Sequence, residues 1–223
     1  HEIKNKVFTN RRDLMDRINK NLLYSDSSFV KKLQNKSASD FDYQYSFYLV
    51  REGISKIMRN IHTEGFARYF ENPLEYIYDL DSWNDKYNKA FSSAMGIRGY
   101  LNTSLEALNE SEESIRNIYG VSKGEVIDKT LKLLKGCYEK YELGAFMIYT
   151  IIFFNRRNFR EILQMSVYQF IQEYEVAMGK SGEGPLVSLN SGLGLIDFNS
   201  LLSRLSKEVT NREFSKNKAK PSF

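Results

Sequence analysis

Apolar positions along the chain recur at helical spacing, and alternation at period two is absent apart from a possible short strand in "HEIKNKVF" at the start. In "TNRRDLMDRINKNLLYS" residues Leu14, Met15, Ile18, Leu22 and Leu23 fall on one face, with Thr9 or Asn10 as cap. "SSFVKKLQN" reads as a shorter helix opened by Ser27 or Ser28. Tyr43, Phe47, Val50, Ile54, Ile57 and Ile61 then follow at steps of 4, 3, 4, 3 and 4, a narrow heptad-like seam on a helix that Gly65 is expected to stop. Asn72 and Pro73 read as the cap and first position of another helix. Trp83, Tyr87, Phe91 and Met95 stand at successive steps of 4 on a helix expected to end near Gly96, and the stripe reads as core. "NESEESIRNIYG" places acidic residues at a helix start, where the dipole favours them, and closes on Gly120. Ser122 and Glu125 form a capping-box pattern ahead of one long helix carrying Val126, Ile127, Leu131, Leu134, Cys137, Tyr138 and Tyr141. Residues 143–155 form an apolar helix, and Ser166 with Gln169 repeats the capping-box pattern before a last long helix ending at Gly179.

From Gly179 the pattern changes. "GKSGEGPLVSLNSGLGLIDFN" is rich in Gly and Ser and reads as a loop or linker. "DFNSLLSRLSKEV" reads as a short amphipathic helix with Leu201, Leu202 and Leu205 on its apolar face, followed by a basic tail. The expected architecture is therefore all-α: an irregular multi-helix bundle over 1–179 with a flexible C-terminal extension over 180–223.

The longest apolar run, "LGAFMIYTIIFF" at 143–154, has 12 residues, short of the roughly 18 a membrane span requires. It predicts a core helix and no membrane span. The first residues are polar and lack the apolar stretch of a signal peptide, so a cytoplasmic or virion location is expected, without secretion by a signal peptide. One cysteine among 223 residues fits a reducing compartment, and Cys137 reads as a small buried hydrophobe.

Net charge is +4 but unevenly placed. Residues 1–70 carry 13 basic and 8 acidic side chains, whereas 71–119 carry 4 and 9. Basic ends flanking an acidic middle favour contact between complementary protein surfaces as much as contact with phosphate.

Candidate chemistry is sparse. His1 and His62 offer no cluster for a metal, and His62 reads as a capping or surface residue. "MGKSGEG" contains Gly-Lys-Ser, but Tyr174 holds the place of the first glycine of a phosphate-binding loop, and a helix precedes it where a strand is required. "GLGLID" is an incomplete glycine pattern. The pairs Asp40/Asp42 and Asp79/Asp81 could hold a divalent cation, yet Asp40 and Asp81 lie where caps are wanted, and Trp83 occupies a ligand position of any calcium loop. The sole nuclease-like Glu-x-Lys triplet is Glu2-Ile3-Lys4. No catalytic residue, cofactor or metal is expected.

The remaining feature is "IIFFNRRNFREILQMSVYQFIQEYE", residues 151–175, where Arg156, Arg157 and Arg160 cluster beside Phe154 and Phe159. A solvated hinge between helices and a contact site for phosphate or an acidic partner both fit it. "NFREILQMSVYQFIQEYEVAMG", residues 158–179, resembles the C-terminal part of bacteriophage tail and baseplate assembly proteins in its short helix, Met-Ser break and aromatic-anchored second helix. The Lys-, Asn-, Tyr- and Ile-rich composition is similar to that of A+T-rich phage and low-GC bacterial proteins. The resemblance implies a non-enzymatic protein that docks to other protein components of a virion or assembly. The partner-binding residues expected on this reading are Phe154, Arg156, Arg157, Arg160, Leu201, Leu202 and Leu205. The alternative is a nucleic-acid-associated helical protein that uses the basic N-terminal helix and the C-terminal tail.

Overall fold

The structure, a computed structural model, describes residues 38–72, 75, 79–190 and 192–218. The helices expected at 9–25 and 27–35, the strand in 1–8, Pro73 as a first helical residue and the last five residues lie outside them. Among the described residues eight helices pack as a bundle: α1 (Ala38–Glu71), α2 (Leu80–Asn109), α3 (Glu112–Tyr119), α4 (Lys123–Gly136), α5 (Glu139–Asn155), α6 (Phe159–Gln164), α7 (Val167–Ser181) and α8 (Phe198–Lys218). A minimal parallel ladder joins β1 (Val187–Ser188) to β2 (Ile196–Asp197).

The apolar run at 143–154 makes α5 the centre of this arrangement. Every residue from Leu143 to Ile151 is buried, as expected of a helix that is apolar all round. It packs between α1 and α2 and also carries α7, while α4 lies across α1 and α2. The α1 seam is confirmed from Phe47 through Ile61, all of it buried. No described helix is long and apolar enough to cross a membrane.

Two glycines set the closest approach in the bundle. Gly65 does not stop α1. It lies inside the helix, where a Cβ would stand 2.3 Å from the backbone carbon of Gly144, and a Cβ on Gly144 would stand 1.9 Å from the Ile61 carbonyl oxygen. The missing side chains let the backbones of α1 and α5 touch. His62, expected on the surface near a helix end, is fully buried one turn before this crossing, its ring 5.2 Å from that of Phe66 and 4.4 Å from that of Phe170.

The α2 stripe departs from expectation in an instructive way. Trp83 is buried, with its indole N–H donating to the Thr150 hydroxyl at 2.9 Å, but Phe91 and Met95 are exposed. A step of 4 overshoots a helical turn by about 40°, so three such steps rotate the stripe by about 120°, off the buried face. The face α2 buries runs through Ala90, Ala94, Ile97, Leu101, Leu105 and Leu108, and the helix passes Gly96 without a break.

The capping boxes at Ser122–Glu125 and Ser166–Gln169 are both present, and Asn158–Glu161 forms a third. Asp79, not Asp81, caps α2 by accepting from the Ser82 N–H at 2.7 Å. The long helix expected after Ser122 divides at Cys137, which ends α4 partly buried, with its thiol donating to the Leu134 carbonyl at 3.0 Å.

Lysines from later elements satisfy helix C-termini. Lys123 is buried and donates to the carbonyls of Leu108, at 3.0 Å, and Glu110, at the end of α2. Lys140 is buried and donates to the Lys135 carbonyl at the end of α4. An ammonium placed against the negative end of a helix dipole, on carbonyls that lack an intrahelical partner, is a favourable arrangement. Replacing Lys123 with Met keeps most of the packing but strips those carbonyls of their donor. We expect a loss of about 1–3 kcal/mol, measurable by chemical denaturation.

The segment read as a linker is packed. Leu186, Val187, Leu189 and Ile196 are buried, and Glu175 on α7 accepts from the backbone N–H of Leu189 at 2.7 Å and from the Asn190 side-chain amide at 2.8 Å. Gly194 passes so close to β1 that a Cβ would lie 2.7 Å from that of Ser188. Asp197 then opens α8, accepting from the Ser200 N–H at 2.9 Å, from the Ser200 hydroxyl at 2.7 Å and from the Gly192 N–H. Helix α7 ends at the left-handed Gly182, past the boundary expected at Gly179. On α8, Phe198 and Leu205 are fully buried, Leu201 is nearly so and Leu202 is half-buried. Burial of Leu201 and Leu205 by the chain's own core corrects the expectation that they face a partner from a separate extension.

Candidate functional site

The Arg156–Arg160 region is a built turn. Helix α5 ends at Asn155, and Arg156 adopts the left-handed conformation, φ 55° and ψ 26°. It is the sole non-glycine residue with positive φ among the described residues. Most such positions fall to glycine, because a side chain there crowds its own backbone. Two residues later Asn158 opens α6, accepting from the Glu161 N–H at 2.9 Å, while Glu161 reaches back to the Asn158 N–H at 2.9 Å.

Glu173, on α7, clamps the turn from both sides. Its carboxylate accepts from the Asn155 amide at 3.0 Å and from Arg157 Nη2 at 2.9 Å and Nε at 3.3 Å, and its carbonyl accepts a second bond from Asn155 at 2.9 Å. The Arg157 hydrogen bond is the main influence holding the Glu173 carboxyl below its ordinary value of 4.5. A carboxyl lowered by folding contributes stability above its ordinary value and loses it as pH falls through the lowered one. The clamp should therefore be intact at neutral pH and release below about pH 4.5, and Glu173→Gln should abolish this pH dependence. The Asn155 side-chain amide resonance, followed by NMR through an acid titration, reports both effects.

The structure separates the residues of the cluster. Arg157 is held by Glu173, and Phe154 is partly buried, edge-on to Trp83 at 5.3 Å and to Phe153 at 4.8 Å. Phe159 anchors α6 against Phe66 at 5.0 Å and Phe70 at 4.3 Å. Arg156 and Arg160 are exposed, and neither forms an ion pair among the described residues. The Arg156 guanidinium carbon lies 5.8 Å from the centre of the Phe153 ring, within cation–π range. Leu201, Leu202 and Leu205 belong to α8 and its packing and add no exposed apolar face here.

Asn155 and Glu173 escape sequence reasoning. The Asn158-x-x-Glu161 pattern carried a readable signal as a capping box, but the clamp by Glu173 is tertiary and leaves no local trace. Other sequence candidates dissolve. Lys180 of the Gly-Lys-Ser stretch donates to the Phe154 carbonyl at 3.4 Å from the C-terminal end of α7, the end of a helix that repels phosphate. Among the described residues no group of three or more His, Cys, Asp or Glu is placed to hold a metal ion. Asp40 lies within α1. No family model, curated protein or solved structure matches the chain, so the functional reading rests on this geometry.

Proposed function

We propose that this chain is a non-enzymatic assembly protein that docks to an acidic surface of a partner protein through Arg156 and Arg160, in the kind of role implied by the likeness of residues 158–179 to phage tail and baseplate proteins. One observation carries the reading: a non-glycine residue is held left-handed at an exposed turn whose neighbours are clamped by Glu173. Unfavourable backbone conformations persist where the surrounding structure enforces them, and they concentrate at sites of function. Here the conformation turns a guanidinium outward beside Phe153, on a turn that loses little entropy on binding because it is already ordered.

The test uses the cost of that conformation. Arg156→Gly should raise stability by about 1 kcal/mol, by removing the left-handed penalty, while weakening partner binding. Arg160→Ala should weaken binding with the melting temperature unchanged. The partner is recovered by pull-down from native material with mass spectrometry, and affinity is then measured against the purified partner at several salt concentrations. Binding that tolerates Arg156→Gly and Arg160→Ala would defeat the proposal. Recovery of nucleic acid, with affinity falling steeply between low and moderate salt, would favour the nucleic-acid reading instead.

A further inference from the structure

A second surface has the features of a recognition cleft. An open depression of about 220 Å³ lies between α2, the loop 192–197 and the start of α8. Its apolar lining includes Leu101, Leu195, Ile196 and Leu201, and Arg98 and Arg204 reach it from two different helices. Both arginines are exposed, and neither forms an ion pair among the described residues. We propose that this cleft binds an acidic-apolar segment of a partner protein, seating an Asp or Glu carboxylate between Arg98 and Arg204 and a neighbouring apolar side chain against Leu195, the one residue of that apolar lining that is partly exposed.

Charge and size select this occupant. Two guanidinium groups favour a carboxylate, which each can hold through paired N–H donors. The volume is below the range of about 300–1,000 Å³ typical of pockets for drug-sized molecules, so it suits one or two side chains. A phosphate is the poorer fit. Phosphate sites at helix starts depend on free backbone N–H groups, and here Asp197 already takes the N–H groups of Gly192 and Ser200. Asp197 also lines the cleft, so its fixed negative charge opposes a dianion more than a single carboxylate.

The proposal rests on the protein-docking reading but not on the turn at 154–160, and the test keeps the two apart. Full-length isotope-labelled protein is titrated by NMR with a short synthetic peptide centred on Leu-Glu-Leu, with the matching Leu-Gln-Leu peptide, and with inorganic phosphate. The expected result is chemical-shift change at the amides of Gly192, Gly194 and Leu195, with affinity about tenfold lower for the glutamine peptide and for Arg98→Ala or Arg204→Ala. Arg156→Ala should bind the Leu-Glu-Leu peptide as the parent does. Both cleft arginines are exposed, so these variants should keep the parent's spectrum elsewhere. Absence of shifts at the loop, equal affinity for the two peptides, or indifference to both arginine variants would overturn the proposal. So would inorganic phosphate producing the same shifts at lower concentration than the peptide.

Discussion

Gly144→Val is expected to yield a chain with no cooperative melting transition, and even Gly144→Ala should lose more than about 4 kcal/mol, the exceptional range for one substitution. A Cβ at this position meets the Ile61 carbonyl oxygen at 1.9 Å and the Gly65 Cα at 2.7 Å. Both contacts are with backbone, so no rotamer change relieves them, and separation of the helices is the sole remedy. Separation would open the contact between α1 and α5, the most extensive helix pair of the bundle, and forfeit dispersion along its length. A total stability of about 5–15 kcal/mol for an ordinary domain leaves little reserve. Gly99 supplies the control. It lies exposed within α2, and a Cβ there meets nothing within 4 Å, so Gly99→Ala should gain about 0.5–1 kcal/mol through helix propensity alone. Thermal and denaturant unfolding followed by circular dichroism separates the two cases. A Gly144→Ala melting temperature within a few degrees of the parent's would mean the crossing is looser than described.

What the sequence discloses about this fold depends on the range over which each signal acts. The capping boxes at Ser122 and Ser166 involve residues three apart and could be read directly. The 4-3 alternation from Phe47 to Ile61 keeps to one face and was equally legible, as was the central place of an apolar run too short for a membrane. Gly65 illustrates the opposite case. Glycine marks a helix end in one setting and a helix crossing in another, and only Gly144, 79 positions away, decides between them. The stripe from Trp83 to Met95 failed for a geometric reason: equal steps of 4 drift round a helix, whereas the buried face mixes steps of 3 with steps of 4.

The candidate site was legible as composition and not as geometry. Three arginines beside Phe154 and Phe159 are visible in one line of sequence. Which of them remains available is set by Glu173, which holds Arg157 and leaves Arg156 and Arg160 outward. The cleft between Arg98 and Arg204 leaves no sequence trace, because its two guanidinium groups lie over a hundred positions apart.

The Gly- and Ser-rich stretch after Gly179 is where composition misled most, and it carries the second large expected effect. Glycine and serine loosen a chain unless something binds their backbone. Here Glu175 and Asp197 do so, and four apolar residues between Leu186 and Ile196 are buried. Leu205 is 0% exposed and Leu201 is 8% exposed, so Leu201→Asp with Leu205→Asp places two carboxylates in the core, the one at position 205 fully enclosed. Each loses the transfer free energy of a buried leucine, about 1.5–3 kcal/mol, before the penalty for an uncompensated buried charge, about 3–5 kcal/mol. The sum approaches or exceeds the stability of a typical domain, so the double variant should unfold the bundle as a whole. Leu193→Asp, at a position 60% exposed, should change stability by less than about 0.5 kcal/mol. In the parent protein, limited proteolysis between 180 and 208 should be slow. Melting of the double variant at the parent temperature, with rapid cleavage in that stretch, would restore the division into a 1–179 domain and a separate extension. Loss of the whole transition places α8 in the core.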